Sequence, residues 1–331
     1  MLHIHNGDSS ANTARESSIP GEHIAFRESL ITGPTPADVS GEAWRRVRAQ
    51  HLSEGYPADL DECAEDLRDQ EKKLDSAAGY DEVVLWFEHD LFCQTNLLYL
   101  LNWFAQRELG NTKLRLICIG EFPGKEHFRG LGELNAGEMV SLFPDRQPVT
   151  PGQLKLGELA WQAYCSPNPD EIQSILDSDT SLLPFLDSAL RAHLRRFPST
   201  RNGLGRIEDT SLELIKGGAQ TFIELFPQFA GAEPVYGLGD AQLWLALQQI
   251  GVGKQPLLTM ENSHHAGQLT PDIARNAKLE ITESGESVLR GEADQVELNG
   301  IDYWLGGVHL TPTNLWRWDG TSEAMVQMPG Q

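Results

Sequence analysis

Three ionisable residues in a row, Glu88-His89-Asp90, end one apolar run (EVVLWF, 82–87) and open another. A carboxylate and an imidazole at the end of a buried strand shift each other's proton affinity and can act as general acid and base. Gln94 lies one helical turn beyond Asp90 and can face the same crevice. The competing role is structural: Asp90 caps the following helix, and Glu88 and His89 are solvated. A second cluster, Asn6-Gly7-Asp8-Ser9, follows the first short apolar run. Its glycine lets a ligand approach the backbone, and a helix N-terminus favours an anion such as phosphate. Asp8 can instead orient a ribose hydroxyl or hold a metal, or Asp8 or Ser9 simply caps a helix. Arg27 is an anion clamp or one half of a salt bridge. The candidate catalytic residues are His89, Glu88 and Asp90. The candidate ligand-binding residues are Asn6, Gly7, Asp8, Ser9, Arg27 and Gln94, and no metal ligand is assigned.

Other residues with chemistry are weaker candidates. His3 and His5 share one face of a strand, a spacing that can ligate a metal but more commonly marks half-buried strand histidines. His264-His265 reads as a solvated loop pair. The four cysteines, Cys63, Cys93, Cys118 and Cys165, show no C-x-x-C spacing, so neither a zinc knuckle nor a redox pair is expected. Cys93 and Cys118 lie in apolar runs and read as small buried hydrophobes. The dinucleotide fingerprint, the phosphate-binding P-loop and the nucleophile elbow are all absent.

These clusters need elements to position them. Strands are expected at residues 2–6, 22–27, 82–87 and 114–119. Helices are expected at about 10–17, 39–53, 60–76 and 91–106. Such alternation predicts a mostly parallel four-stranded sheet, order 2-1-3-4, with helices on both faces. In that order strands 1 and 3 are neighbours and their connections leave in opposite directions. Ligands bind beyond the carboxyl ends of the strands at such a switch point. Those ends are the two polar clusters. Residues 1–134 form this α/β domain and 135–200 a helical bridge. Residues 201–331 form a winged-helix-like α+β domain with an aromatic tail (Tyr303, Trp304, Trp316, Trp318).

Composition narrows the partners. The net charge is −22, from 26 Lys and Arg against 48 Asp and Glu. Neutralising phosphates needs clustered basic residues, so nucleic acid is not an expected partner. Residues 201–331 hold 8 Lys and Arg against 17 Asp and Glu, and the third helix of that domain, DAQLWLALQQI, has none of the basic residues. A DNA reader would carry them there. No apolar stretch is long enough to span a bilayer and no signal peptide is evident, so the expected location is the cytoplasm.

Several segments together resemble the family catalogued as domain of unknown function 1835. They are LHIHNGDS (2–9), RESLITGP (27–34), VLWFEHDLFCQTNLLYLL (84–101) and GLGEL (130–134). Its companion C-terminal region resembles GLGDAQLW (237–244), NGIDYWLGGVHL (299–310) and WRWD (316–319). The resemblance implies one recurring architecture holding these segments, but no activity. Cys93 stands where an acidic residue is the more frequent expectation. The functional expectation is an enzyme acting on a small anionic or nucleotide-like ligand by acid–base chemistry, with unknown cofactor. The alternative is a non-catalytic ligand sensor or adaptor that meets a protein partner through its acidic C-terminal domain.

Overall fold

The computed structural model describes residues 1–56, 58–261 and 269–329. His264-His265 lies outside the described residues. The first lobe begins β1 (Leu2–His5), α1 (Asp8–Arg15), β2 (Glu22–Ala25), α2 (Gly41–Gly55) and α3 (Leu60–Asp75). It continues β3 (Glu82–Glu88), α4 (Leu91–Ala105), β4 (Lys113–Ile119), α5 (Ala136–Leu142) and β5 (Gln147–Pro148). The sheet order is β2-β1-β3-β4-β5. The first four strands pair in parallel and β5 is antiparallel to β4. The expected order therefore stands, with one further edge strand. That strand is two residues long and contains a proline, too short to show any periodicity.

Side chains alternate across the sheet as the period of two requires. Val83, Leu85 and Phe87 of β3 enter a core with Leu97, Leu98 and Leu101 of α4. Val84 and Trp86 enter the opposite core with Ala14 of α1 and Met139 of α5. Burial on both faces explains why β3 reads as a continuous apolar run. α4 is apolar almost all round because it is enclosed between the sheet and later helices.

Four helices follow: α6 (Pro151–Cys165), α7 (Asp170–Leu176), α8 (Leu186–Leu194) and α9 (Arg206–Lys216). The first three pack into the same core as α4. α9 opens the second lobe, with α10 (Phe222–Ala232), α11 (Asp240–Ile250), β6 (Leu258–Glu261), α12 (Pro271–Asn276), β7 (Lys278–Ile281) and α13 (Glu283–Leu289). β6 and β7 form an antiparallel ribbon, and the group has a second apolar core that Ile31 and Leu91 of the first lobe join. After α14 (Gln295–Asn299) come two hairpins, β8 (Tyr303–Leu305) with β9 (Val308–Leu310), and β10 (Trp316–Asp319) with β11 (Ala324–Gln327). Leu305, Leu310, Trp316 and Trp318 return to the core of the first lobe, not to that of the second. Tyr303, Trp316 and Trp318 of the aromatic tail are thus packing material for residues 1–200, whereas Trp304 stacks on His309 outside that core. Among the described residues, no helix is long and apolar enough to cross a membrane.

Candidate functional site

The parallel register of β1 with β3 brings the two polar clusters to one end of the sheet. Above them lies a cavity of about 560 Å³. Asn6, Ser9, Glu88, His89 and Asp90 line it from the first lobe. Arg129, Gly130 and Glu133 roof one side, and Phe226, Phe229, Gly237 and Gln242 close it from the second lobe. The crevice beyond the strand ends is therefore a space between lobes.

Glu88 ends β3 and is 9% exposed. Its Oε1 accepts the Leu131 backbone N–H, and its Oε2 accepts the Cys93 thiol at 2.8 Å. A Cβ on Gly130 would come within 2.9 Å of the Glu88 carboxyl, so the roof closes at that distance only over glycine. Burial, reinforced by the neighbouring charge of Asp90, pushes the Glu88 carboxyl up to about 7. Burial also raises Asp90. Glu88 is thus placed to gain or lose a proton near neutral pH.

Asp90 caps α4, its Oδ1 accepting the Cys93 N–H at 2.8 Å. The second lobe meets it directly: Gly237 has φ of 60°, and a Cβ there would fall 2.1 Å from Asp90 Oδ1. His89 lies edge-on to Phe185, with ring centroids 6.0 Å apart, and its Nδ1 is buried without a hydrogen-bond partner. Asn6 donates to Cys93 Sγ at 2.8 Å and accepts from Asn96 at 2.7 Å. A continuous polar network therefore links both strand ends through α4.

Of the other expected site residues, Gly7, Asp8, Arg27 and Gln94 do not line the cavity. α1 is capped by Gly7, and Asp8 is its first residue, so neither Asp8 nor Ser9 is the cap. Asp8 takes a bidentate pair of hydrogen bonds from Arg27, both 2.8 Å. Both side chains are about half exposed and neither lines the cavity. Gln94 is buried and donates to the Glu88 carbonyl at 2.6 Å, supporting the strand end from beneath. Ser9 lines the cavity and donates to the Gly132 carbonyl. Glu28 pairs with Arg48, the two side chains 3% and 0% exposed. Arg48 also donates to the carbonyls of Ser29, Thr32 and Pro34, so this pair moulds the loop after β2.

Arg129 and the two phenylalanines escaped the sequence reading. Arg129 makes no ion pair among the described residues, and its guanidinium is a free cation at the cavity edge. A single arginine in a loop carries no spacing signal. His3 and His5 form a packed cluster instead of a metal pair. His5 donates to or accepts from His23 at 3.0 Å and stacks on Trp86, while His3 stacks on His23. Burial lowers His3 to about 4 and His5 to about 2. One trio outside the expected ligands, Glu88, Asp90 and Cys93, places its donor atoms within 4.8 Å of one another. A cation there would displace the Cys93–Glu88 hydrogen bond and need a thiolate, whereas burial holds the thiol protonated. All four cysteines are free, and none is activated.

No protein-family model matches the chain, and no curated protein is similar to it in sequence.

Proposed function

We propose that the protein is an enzyme acting by proton transfer on a small anionic or nucleotide-like ligand bound between the lobes. One observation carries this reading: the Glu88 carboxyl, almost withdrawn from water, stands in the wall of a ligand-sized cavity at the switch point of the sheet. In this reading Glu88 is the general acid or base and His89 the second proton carrier. Arg129 recognises the anionic group, and Phe226 and Phe229 take an apolar or ring-shaped body. Asp90 positions α4 and, through Gly237, the second lobe.

The second lobe then serves as the facing wall. Its order of three helices, a ribbon and a closing helix supports the winged-helix-like reading. Yet Gln242 of α11, the helix a DNA reader would present to bases, donates to Tyr56 of the first lobe at 2.6 Å. Together with the acidic charge, this supports a role without nucleic acid. The segments quoted for the resemblance to domain of unknown function 1835 contribute Asn6, Glu88, Gly130 and Gly237 to one cavity, which suits membership of that family. Four free cysteines suit a reduced, cytoplasmic setting. A sensor that binds the same ligand without turning it over is the second reading, favoured by the fact that both Glu88 oxygens already accept protein hydrogen bonds.

The test is a thermal-shift screen against nucleotides and phosphorylated metabolites, followed by turnover assays on each hit. Saturating ligand at a hundredfold its Kd adds about 2.7 kcal/mol. Arg129→Ala should remove the shift. Glu88→Gln should keep it and lose turnover. A ligand whose binding ignores Arg129→Ala, or turnover that survives Glu88→Gln, overturns the enzyme reading as stated. Binding without turnover in the unmodified protein leaves the sensor.

A further inference from the structure

The larger cavity, about 740 Å³, lies on the other side of Gln242 and Leu238, which face both spaces. It is walled by α2, α11, the first turn of α9 and β8. Two arginines line it, Arg46 and Arg196, and neither forms an ion pair among the described residues. Their neighbours do: Arg45 pairs with Glu71, Arg48 with Glu28 and Arg206 with Glu233. Arg196 is only 7% exposed. Its Nε has no hydrogen-bond partner, and its Nη1 meets the His193 ring Nδ1 at 3.4 Å. His193 is fully buried and held neutral, so it offers no counter-charge. The nearest acid, Glu208, feels the Arg196 charge but makes no ion pair with it, so the guanidinium is desolvated without a carboxylate in contact, and an anionic ligand would offset that cost.

The remaining wall is mostly apolar, with Val47, Leu245, Ala246 and Trp304. Glu54 and Glu208 also face the space, so a second negative charge on the ligand would be repelled. We infer that this cavity binds a small organic monocarboxylate, its carboxylate on Arg196 and its apolar body against Val47, Leu245 and Trp304. The site is separate from the proton-transfer crevice and does not depend on that reading.

Calorimetry on the full chain tests it, with hexanoate and phenylacetate as probes. Hexanamide, phenylacetamide, phenyl phosphate and inorganic phosphate are the controls. The two acids should bind saturably and the controls more weakly. Arg196→Gln should weaken the acids at least about tenfold, the weight of one charge-assisted hydrogen bond. Because Arg196 is buried, Ala246→Trp provides a second variant, one that fills the cavity without touching a charge and should also abolish binding. Glu88→Gln should leave acid binding unchanged. The inference is overturned if neither acid binds saturably or if the amides or phenyl phosphate bind as well as the acids. It is equally overturned if binding survives both Arg196→Gln and Ala246→Trp.

Discussion

The ends of β1 and β3 are adjacent in the sheet and chemically opposite. At the β1 end, Asp8 stands in water and is matched by Arg27. At the β3 end, Glu88 is buried, forms no ion pair among the described residues and shares its surroundings with a second carboxylate. Both ends are short polar runs before a helix, and both look equally suited to bind a ligand. What separates them is cover. Residues 129–134 and the second lobe lie over β3, whereas Asp8 and Arg27 are left at the surface. Desolvation, not residue type, makes one of these carboxylates a candidate proton carrier.

That contrast can be broken experimentally, most forcefully at Glu88. For a substrate found by the ligand screen, Glu88→Gln should lower kcat by about 10²–10⁴-fold, the usual weight of one general acid or base. Asp8→Asn should leave kcat within about twofold of wild type, since Asp8 does not line the cavity. Equal losses would erase the distinction between the two strand ends.

Stability as a function of pH sharpens the same point. The folded Glu88 titrates near 7, above its ordinary value of 4.5. Between these values the folded state holds a proton that the unfolded state has lost, so this group's stabilisation declines as pH rises through the window. Glu88→Gln cannot titrate. Its stability relative to wild type should therefore rise by about 3 kcal/mol between pH 4.5 and pH 8 in urea unfolding. The histidine cluster contributes equally to both proteins and cancels. A difference that does not change with pH would mean that Glu88 keeps an ordinary carboxylate affinity.

Gly237→Ala tests the cover itself. The added methyl meets Asp90 and sits on a backbone with positive φ. A loss of about 1–3 kcal/mol is expected by denaturant unfolding. Full stability would show that the lobes do not close on Asp90 as described. The smallest effect belongs to the exposed pair: Asp8→Asn should cost at most about 1 kcal/mol, and less in high salt. A cost above that range would mean the pair is not simply a surface one.

Much of the fold was legible because the first lobe obeys simple periods. Alternating strands and helices led to the order of the first four strands. A continuous apolar run marked β3 as buried on both faces. The crevice followed from topology, and Asn6, Ser9, Glu88, His89 and Asp90 do line it. The rest depended on contacts that no local pattern encodes. Arg27 and Glu28 are neighbours in sequence, yet one turns to solvent and the other into a buried pair with Arg48. Arg129 and Phe229 reach the cavity from loop and helix positions a hundred residues apart, and only the tertiary fold unites them.

The return of the tail to the first lobe has a consequence for biosynthesis. Trp318 donates its backbone N–H to Pro198, and the Thr200 N–H bonds to the Trp318 carbonyl. Gly307 bonds to Tyr164, and Thr35 to Gly306. As the ribosome delivers the chain, the sheet and its helices emerge early, but the side chains that seal their core come last. The segments that the tail pairs with, at Thr35, Tyr164, Pro198 and Thr200, must wait, open to water, while the whole second lobe is made. The nascent first lobe is therefore the stage most exposed to misassembly and to chaperones, and the finished protein secures both ends of its second lobe in a single core.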